Sequence, residues 1–496
     1  MTACPKSATA TLTGFAGLLG LAASIVLVPD LAWPTYLKAL MVLAATAAAM
    51  IAVDMAYFRT FQSLSTGLQT SSLRPPDLER VLRKLLGLIV TLAILAALYW
   101  ILPEYRRDFY DPYWAALHVL VPVLLAAAPF YIAYVDRRQI GPEDSYAEIG
   151  AFILKGVLPQ NTEPMRQHVL GWIVKGFFLP LMFVYSCSTL DAVLSALQTP
   201  SPLDLLRWHA FATDLLFMVD VLVAVVGYVF TLRILDTHIR SVEPTVLGWL
   251  VCLACYAPLN NVSHAYLDYE TGGTWVTALA DWPALAAIWG MAILLCLAIF
   301  VWSTVSFGLR FSNLTHRGII TTGPYRWMKH PAYVAKNLSW WLVSMPFLTA
   351  ASPAEALRHS AILLGLNGVY LLRAVTEERH LSRDPDYVAY RRYITEHGAG
   401  AQIKRIFAQA QALPEGRRHR RSTSAWIFPG ASIAERERTP DKSQTTEGFA
   451  RTAPIPDRFT GEPAANDLKP DGKPVIRQAC RLRDRRMNCE IDRIGH

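Results

Sequence analysis

Long apolar runs limit what this chain can fold into more than any other feature. Ten such runs occur before residue 375, and most reach the roughly 17 to 25 residues that a helix needs to cross a bilayer. Apolar side chains make up 53% of the 496 residues. We therefore predict an all-α, polytopic membrane helix bundle of about ten transmembrane helices. The predicted spans lie near residues 10–28, 37–57, 85–102, 114–135, 171–190, 211–232, 244–259, 284–307, 333–350 and 359–374.

Lys and Arg are unevenly divided between the loops on the two predicted sides of the membrane. Loops 58–84, 136–170, 233–243 and 308–332 hold fifteen of them, whereas the alternate loops hold four. Because positive residues are retained on the cytoplasmic side, this alternation predicts that both termini are cytoplasmic. The first run reads as an uncleaved helix, with a cleaved signal peptide as the alternative, because only Lys6 precedes it. Abundant Arg, Ala and Leu suggest a bacterial chain, so we expect the plasma or inner membrane.

The seven cysteines are scattered, and none of them pair naturally in an outside loop. We therefore predict no disulfide framework. Cys252 and Cys255 form a CxxC motif within an apolar segment, without a second pair or a His partner. This pattern favours helix packing over redox or metal use, and we predict no metal site.

The stretch GPYRWMKHPAYVAKN, residues 323–337, places polar chemistry between two apolar runs. Gly323 and Pro324 mark a turn. Pro331 suits the first position of a helix, where its missing N–H would be unpaired in any case. Basic residues at a helix N-terminus favour an anion such as a carboxylate or a phosphate. The basic residues here are Arg326, Lys329 and His330.

A second polar segment follows the last apolar run, with EERHL at 377–381 and YVAYRRYI at 387–394. Two adjacent carboxylates can take different roles, one holding an internal cation and the other accepting hydrogen bonds from hydroxyl groups. Arg373 and Glu377 have the i, i+4 spacing of a helical ion pair. Three tyrosines recur every three residues and predict an aromatic stripe on a short helix. They are Tyr387, Tyr390 and Tyr393.

Together the two segments resemble the isoprenylcysteine carboxyl methyltransferase family and the related phospholipid methyltransferases. In that family a GPYR-x-x-RHP-x-Y-x-G element and an EE-x-x-L element, joined across a helical hairpin, build an S-adenosylmethionine site that opens to the bilayer. The resemblance covers roughly residues 210–400. Lys329 stands where the family usually has Arg, and Ala335 stands where it usually has Gly. The matching positions are Gly323, Pro324, Tyr325, Arg326, His330, Pro331, Tyr333, Glu377, Glu378 and Leu381.

The resemblance implies an integral membrane methyltransferase that uses S-adenosylmethionine. It implies catalytic roles for Arg326 and Glu378. The cofactor-binding residues it implies are Gly323, Tyr325, Lys329, His330, Pro331, Tyr333, Glu377, Glu378 and Tyr390. As methyl acceptor we expect a lipid, or another hydrophobic or lipid-anchored molecule.

Three regions follow from this assignment. Residues 1–205 form an amino-terminal membrane region of five helices with unknown role, and residues 206–398 form the methyltransferase-like core with a cytoplasmic cofactor site. Residues 399–496 hold nineteen Lys or Arg against twelve Asp or Glu, and their polar composition predicts a disordered basic tail. Its run at 417–421 either holds anionic lipid headgroups or is simply solvated. We expect no nucleic-acid partner.

Two other functions stay open on the sequence alone. One is an NADPH-dependent membrane reductase of the sterol-reductase type, which shares the hairpin architecture and a similar His-Pro element. The other is a non-catalytic membrane scaffold whose cofactor site has lost its activity, a reading that rests on Lys329 and Ala335.

Overall fold

The computed structural model describes residues 4–69, 73–156, 161–198, 205–261, 267–269 and 273–411. These residues are 77% helical with almost no strand, which confirms the predicted fold class. The first half contains α1 (Thr11–Leu27), α2 (Thr35–Ala52), α3 (Leu78–Ile101), α4 (Asp111–Asp136), α5 (Ser145–Lys155), α6 (Glu163–Gln198) and α7 (Leu205–Val229). The second half contains α8 (Val246–Leu253), α9 (Trp275–Ala278), α10 (Pro283–Val305), α11 (Pro331–Ser344), α12 (Pro346–Thr349), α13 (Pro353–Leu381), α14 (Pro385–His397) and α15 (Ala399–Gln411).

The described part of the chain contains one sheet, a short antiparallel pair of strands. It joins β1 (Ser241–Val242) to β2 (Thr315–His316), with Ser241 opposite His316. The pair lies beyond the end of α7 and binds the loop after that helix to the loop after α10. These two loops carry several of the residues described below.

Six helices of the described ranges are long and apolar enough to cross a membrane. Their lengths come from uninterrupted apolar sequence, and α1 adds a shorter apolar helix of 17 residues. The protein is therefore an integral membrane protein. The six are Thr35–Tyr57, Leu78–Ile101, Asp108–Asp136, Glu163–Gln198, Leu205–Val229 and Pro283–Val305.

The seventh predicted span, 244–259, is not one continuous helix. α8 has eight residues, so it is about 12 Å long, whereas the hydrocarbon core is about 30 Å thick. The chain nevertheless passes between the two ends of the bundle, because Trp275 packs 4.9 Å from His209 near the start of α7. A bilayer accepts such irregular backbone where protein encloses it, and Cys255 and Tyr256 are buried here.

The last two predicted spans also differ in detail from the structure. The ninth is divided between α11 and α12 at Met345, which adopts a left-handed conformation with φ 42°. The tenth is part of the 29-residue helix α13. Pro353 begins this helix, and Ser352 caps it by accepting a hydrogen bond from the N–H of Glu355. The helix continues past the apolar run and carries the two adjacent glutamates.

The beginning of the predicted tail is helical, because residues 399–411 form α15. Ala, Gln, Lys and Arg dominate this segment, and all four are strong helix formers. The rest of the predicted tail, including the basic run at 417–421, lies outside the described residues. The predicted boundary at residue 205 stays a prediction.

The amino terminus packs against the polar segment that precedes residue 323. Ala8 N–H donates to Ile319 O at 2.8 Å, and Thr321 N–H donates to Ser7 Oγ at 3.1 Å. The Thr321 hydroxyl donates to Pro5 O at 3.1 Å. The first residues of the chain therefore support the segment that leads into the GPYR turn.

A buried arginine organises the loop after α10. Arg317 is 2% exposed and donates hydrogen bonds only to backbone carbonyls among the contacts of the described chain. A guanidinium with five N–H donors can bind several carbonyls at once, so this residue ties the loop to the end of α7. The carbonyls belong to Thr237, Gly227, Phe311, Phe230 and Leu309.

Candidate functional site

The GPYR segment forms a single 3₁₀ turn, Gly323–Arg326, and Pro331 begins α11 as the sequence predicts. Gly323 has a φ of 60°, and a Cβ at this position would collide with the Oγ of Ser306, the residue that caps the end of α10. Both features require glycine. The turn can therefore lie directly against the end of α10, which determines where α11 starts.

Glu378 on α13 binds two basic residues that precede α11. Lys329 Nζ lies 2.6 Å from Oε1 and 2.7 Å from Oε2, and His330 Nε2 lies 3.0 Å from Oε1. The His330 hydrogen bond and the Lys329 ion pair lower the pKa of Glu378 to about 2. The anion that the basic cluster holds in this structure is therefore an internal carboxylate.

Glu377 takes a different role from its neighbour. Its Oε2 accepts a hydrogen bond of 2.8 Å from the Tyr333 hydroxyl. The ring of His330 stacks on Tyr333 with centroids 5.3 Å apart and an interplanar angle of 5°. Tyr333 thus connects the ion pair around Glu378 to the side of the hairpin where Glu377 lies.

Arg373 is directed toward the loop after α10, not toward Glu377. Its Nη2 donates to Asn313 Oδ1 at 2.6 Å and to the Tyr256 hydroxyl at 3.4 Å. The rings of Tyr333, Tyr256 and Tyr370 have centroids within 5.2 to 5.8 Å of the guanidinium carbon. These contacts hold a buried cation next to aromatic faces, an arrangement that is favourable electrostatically.

A polar cavity of about 60 Å³ lies between α13 and the two loops that the strands join. Of the residues that the resemblance implies, Tyr333, Glu377 and Leu381 line it. Four further lining residues, not assigned from the sequence, come from three separate parts of the chain. They are Glu243, Asn313, Arg373 and His380.

The remaining implied residues surround the cavity at a greater distance. Lys329, His330 and Glu378 form the ion pair behind Tyr333, whereas Arg326 is exposed and does not line the cavity. The hydroxyl of Tyr390 donates to Tyr325 O at 2.7 Å and to Met328 O at 3.3 Å. Tyr390 on α14 therefore holds the GPYR turn in place. Burial raises the pKa of Tyr390, which keeps its hydroxyl protonated.

A metal site would need several ligating side chains close together, and the sequence predicts none. Within the described residues, no group of three or more His, Cys, Asp or Glu side chains could hold a metal ion. Cys252 lines the cavity beside Gly248, and both Cys252 and Cys255 are buried free cysteines.

The fold and the cavity define an integral membrane protein with a polar cavity at one end of its helix bundle. Residues 285–383 match the model of the isoprenylcysteine carboxyl methyltransferase (ICMT) family. The match covers about a fifth of the sequence and agrees with the resemblance seen in the two polar segments. The match includes every implied site residue except Tyr390. No curated protein and no solved structure matches the chain.

Proposed function

We propose that this protein transfers a methyl group from S-adenosylmethionine to a hydrophobic acceptor that reaches the site from the membrane. The observation that carries the proposal is the cavity beside Tyr333, Arg373 and Glu377, inside the segment that matches a methyltransferase family. The family relation supports the reaction class, and the positions of the side chains support the cofactor.

The chemistry of the cavity residues suits S-adenosylmethionine. Glu377 can face its ammonium or sulfonium charge, Asn313 and Arg373 can bind its carboxylate, and tyrosine rings offer faces for a cation. The cavity volume of about 60 Å³ is below the roughly 300 Å³ at which ligand pockets begin. Binding therefore requires widening, and Glu377, whose side chain is 39% exposed, can move most readily.

When bound, the cofactor supplies a methyl group already activated by the sulfonium charge. The residues of this chain then have to align the acceptor with that carbon and exclude water, because the reaction is an in-line displacement. Arg373 provides a fixed part of the cavity wall, since it is held by its contact with Asn313. The ion pair between Lys329 and Glu378 keeps the start of α11 against α13.

The proposed acceptor is a lipid or another apolar molecule, because the cavity lies at the end of helices whose outer faces are apolar. The proposed location is the plasma membrane, with the cavity on the cytoplasmic side. This placement follows from the Lys and Arg bias of the loops, and it gives a water-soluble cofactor access from the cytoplasm.

Titration calorimetry with S-adenosylmethionine, on the full chain in nanodiscs, tests the proposal. We expect saturable binding by the wild type and its loss in Arg373→Gln, Glu377→Gln and Glu378→Ala. Glu104→Gln is a matched control, because Glu104 pairs with Arg107 in the loop between α3 and α4. An absence of binding by folded wild type contradicts the proposal. Thermal shift with NADPH in a parallel sample tests the reductase alternative.

A further inference from the structure

The two carboxylate oxygens of Glu243 have different surroundings: one accepts hydrogen bonds and the other does not. Oε1 accepts hydrogen bonds from Thr245 N, at 3.0 Å, and from the Thr245 hydroxyl. A Cβ on Gly248 would lie 2.5 Å from Glu243 Cγ, so this glycine makes room for the side chain. Oε2 is buried and has no hydrogen-bond partner among the residues that the structure describes.

The buried oxygen of Glu243 faces a histidine across the cavity wall. His380 is 5% exposed on α13, and its Nδ1 lies 3.8 Å from Glu243 Oε2. Its Nε2 lies 2.9 Å from Ser241 Oγ. Glu243 and His380 both line the cavity. The histidine ring is therefore oriented by Ser241 on one side and faces a carboxylate on the other.

The charges around the cavity favour a cationic acceptor over an anionic one. Its lining contains two carboxylates, Glu243 and Glu377, and one fixed cation, Arg373, which is bound to Asn313. An acceptor carboxylate would lie beside the buried Glu243 Oε2, whereas an ammonium group would give that oxygen a hydrogen-bond donor. Buried carboxylates require such a partner.

Glu378 is poorly suited to remove a proton from an acceptor. Both of its oxygens are engaged by Lys329 and His330, and a carboxylate with a pKa of about 2 is a weak base. The His380 ring lines the cavity, and burial lowers its pKa, so the ring is neutral and has a nitrogen lone pair that can accept a proton. The charged or titratable groups around it are Glu243, Glu377, Arg383 and His316, and Arg379 lies behind Thr245.

We propose that His380 and Glu243 form the acid–base pair of the acceptor site, and that the acceptor is an amine. This inference rests on the proposed methyltransferase function. It assigns catalytic and binding roles to Glu243, which lies outside the residues that match the family, and to His380, which lies within them.

The acceptor arrives as an ammonium group and binds beside Glu243 Oε2. One of its protons moves to Nδ1 of His380, while Nε2–H donates to Ser241 Oγ, and the Glu243 carboxylate stabilises the resulting imidazolium. The freed nitrogen lone pair forms a bond to the methyl carbon. The carbon–sulfur bond breaks, its electron pair stays on sulfur as a neutral thioether, and His380 then returns its proton to solvent.

The test uses two probes with the same chain and different reacting groups, oleylamine and oleic acid. The full-length protein is placed in phosphatidylglycerol nanodiscs that contain one probe or the other, together with methyl-labelled S-adenosylmethionine. Wild type is compared with Glu243→Gln and His380→Asn. His238→Asn is the matched control, because His238 is also shielded, lies 4.0 Å from Asp236, and does not line the cavity. Cofactor binding by calorimetry is measured on every variant.

We expect label in oleylamine only, and a loss of turnover of about 100-fold or more in His380→Asn, with cofactor binding unchanged. Glu243→Gln should also lose most turnover, and His238→Asn should keep it. Label in oleic acid alone, or none in oleylamine while the cofactor binds, overturns the amine assignment. If Glu243→Gln binds the cofactor more weakly but keeps full turnover, Glu243 binds the cofactor and is not part of the acid–base pair, which overturns its assignment. Absence of cofactor binding by wild type contradicts the methyltransferase proposal itself.

Discussion

Lys329 and Glu378 form an ion pair that joins the two halves of the site, with Nζ in contact with both carboxylate oxygens at 2.6 and 2.7 Å. The family usually has Arg at the position of Lys329. An arginine can contact both oxygens of a carboxylate with its planar fork. The lysine makes both contacts from one nitrogen, so the substitution preserves the pairing between the start of α11 and α13.

Lys329→Arg should retain cofactor binding, whereas Lys329→Met should lose most of it. Methionine has a similar length but no charge, so the Glu378 carboxylate keeps only His330 of its two basic partners. Calorimetry with S-adenosylmethionine measures the difference. Equal affinity in both variants would show that the charge of Lys329 has no part in the site.

The depressed pKa of Glu378 predicts how stability changes with pH. A carboxylate whose pKa is lower in the folded state than its ordinary value of 4.5 contributes stability above pH 4.5. That contribution is lost as the pH falls from 4.5 toward about 2. Unfolding temperatures measured between about pH 6 and pH 3 should therefore fall more for wild type than for Glu378→Gln. Parallel curves for the two proteins would contradict the expectation.

Gly323→Ala should destabilise the protein for two separable reasons. The left-handed backbone costs a non-glycine residue about 1 to 2 kcal/mol, and the added methyl group collides with Ser306 Oγ. The double variant Gly323→Ala/Ser306→Ala removes the collision and keeps the backbone strain. Thermal unfolding should place it between Gly323→Ala and wild type, after correction for Ser306→Ala alone. If the unfolding temperature of the double variant does not recover, the collision does not contribute to the loss of stability.

Ala335→Gly should lower stability without improving cofactor binding. Ala335 is 5% exposed in the packed interior of α11 and does not line the cavity. A glycine inside a helix costs roughly 0.5 to 1 kcal/mol relative to alanine, and the buried methyl contacts are lost as well. Unfolding temperature and calorimetry on the same preparation check both parts. Tighter binding by Ala335→Gly would instead show that the alanine restricts the cofactor.

Ser7→Ala should loosen the segment that leads into the GPYR turn. The substitution removes the acceptor for Thr321 N–H, so hydrogen exchange at residues 319–326 should become faster. Ser145→Ala is a control, because Ser145 Oγ donates to Pro164 O where the starts of α5 and α6 meet, away from the GPYR turn. Unchanged exchange at 319–326 in Ser7→Ala would mean that this contact does not restrain the turn.

The local parts of the site were predictable from sequence because they depend on neighbouring residues. Gly323 and Pro324 signal their turn, Pro331 signals the start of a helix, and Tyr390 lies on the helix that its spacing predicts. Glu243 and Asn313 were missed because tertiary packing brings them to the cavity. Asn313 meets Arg373 across 60 positions of sequence, and no spacing rule covers that separation.

The membrane architecture was predictable to a similar extent. Apolar length located the long helices, because the bilayer imposes that length directly. It did not reveal the interruption after Leu253, since enclosed irregular backbone has the same apolar composition as a helix. The predicted ion pair between Arg373 and Glu377 had the correct spacing, but a closer partner was available to each residue in Asn313 and Tyr333.

The contacts between Pro5, Ser7 and the segment at 319–322 join residues more than 300 positions apart. A ribosome makes the first of these residues long before the second, so during synthesis the amino terminus has no native partner for most of the chain's elongation. It must stay on the side of the membrane where residue 321 will appear. Membrane insertion of α10 is therefore required before the first ten residues can reach their native position.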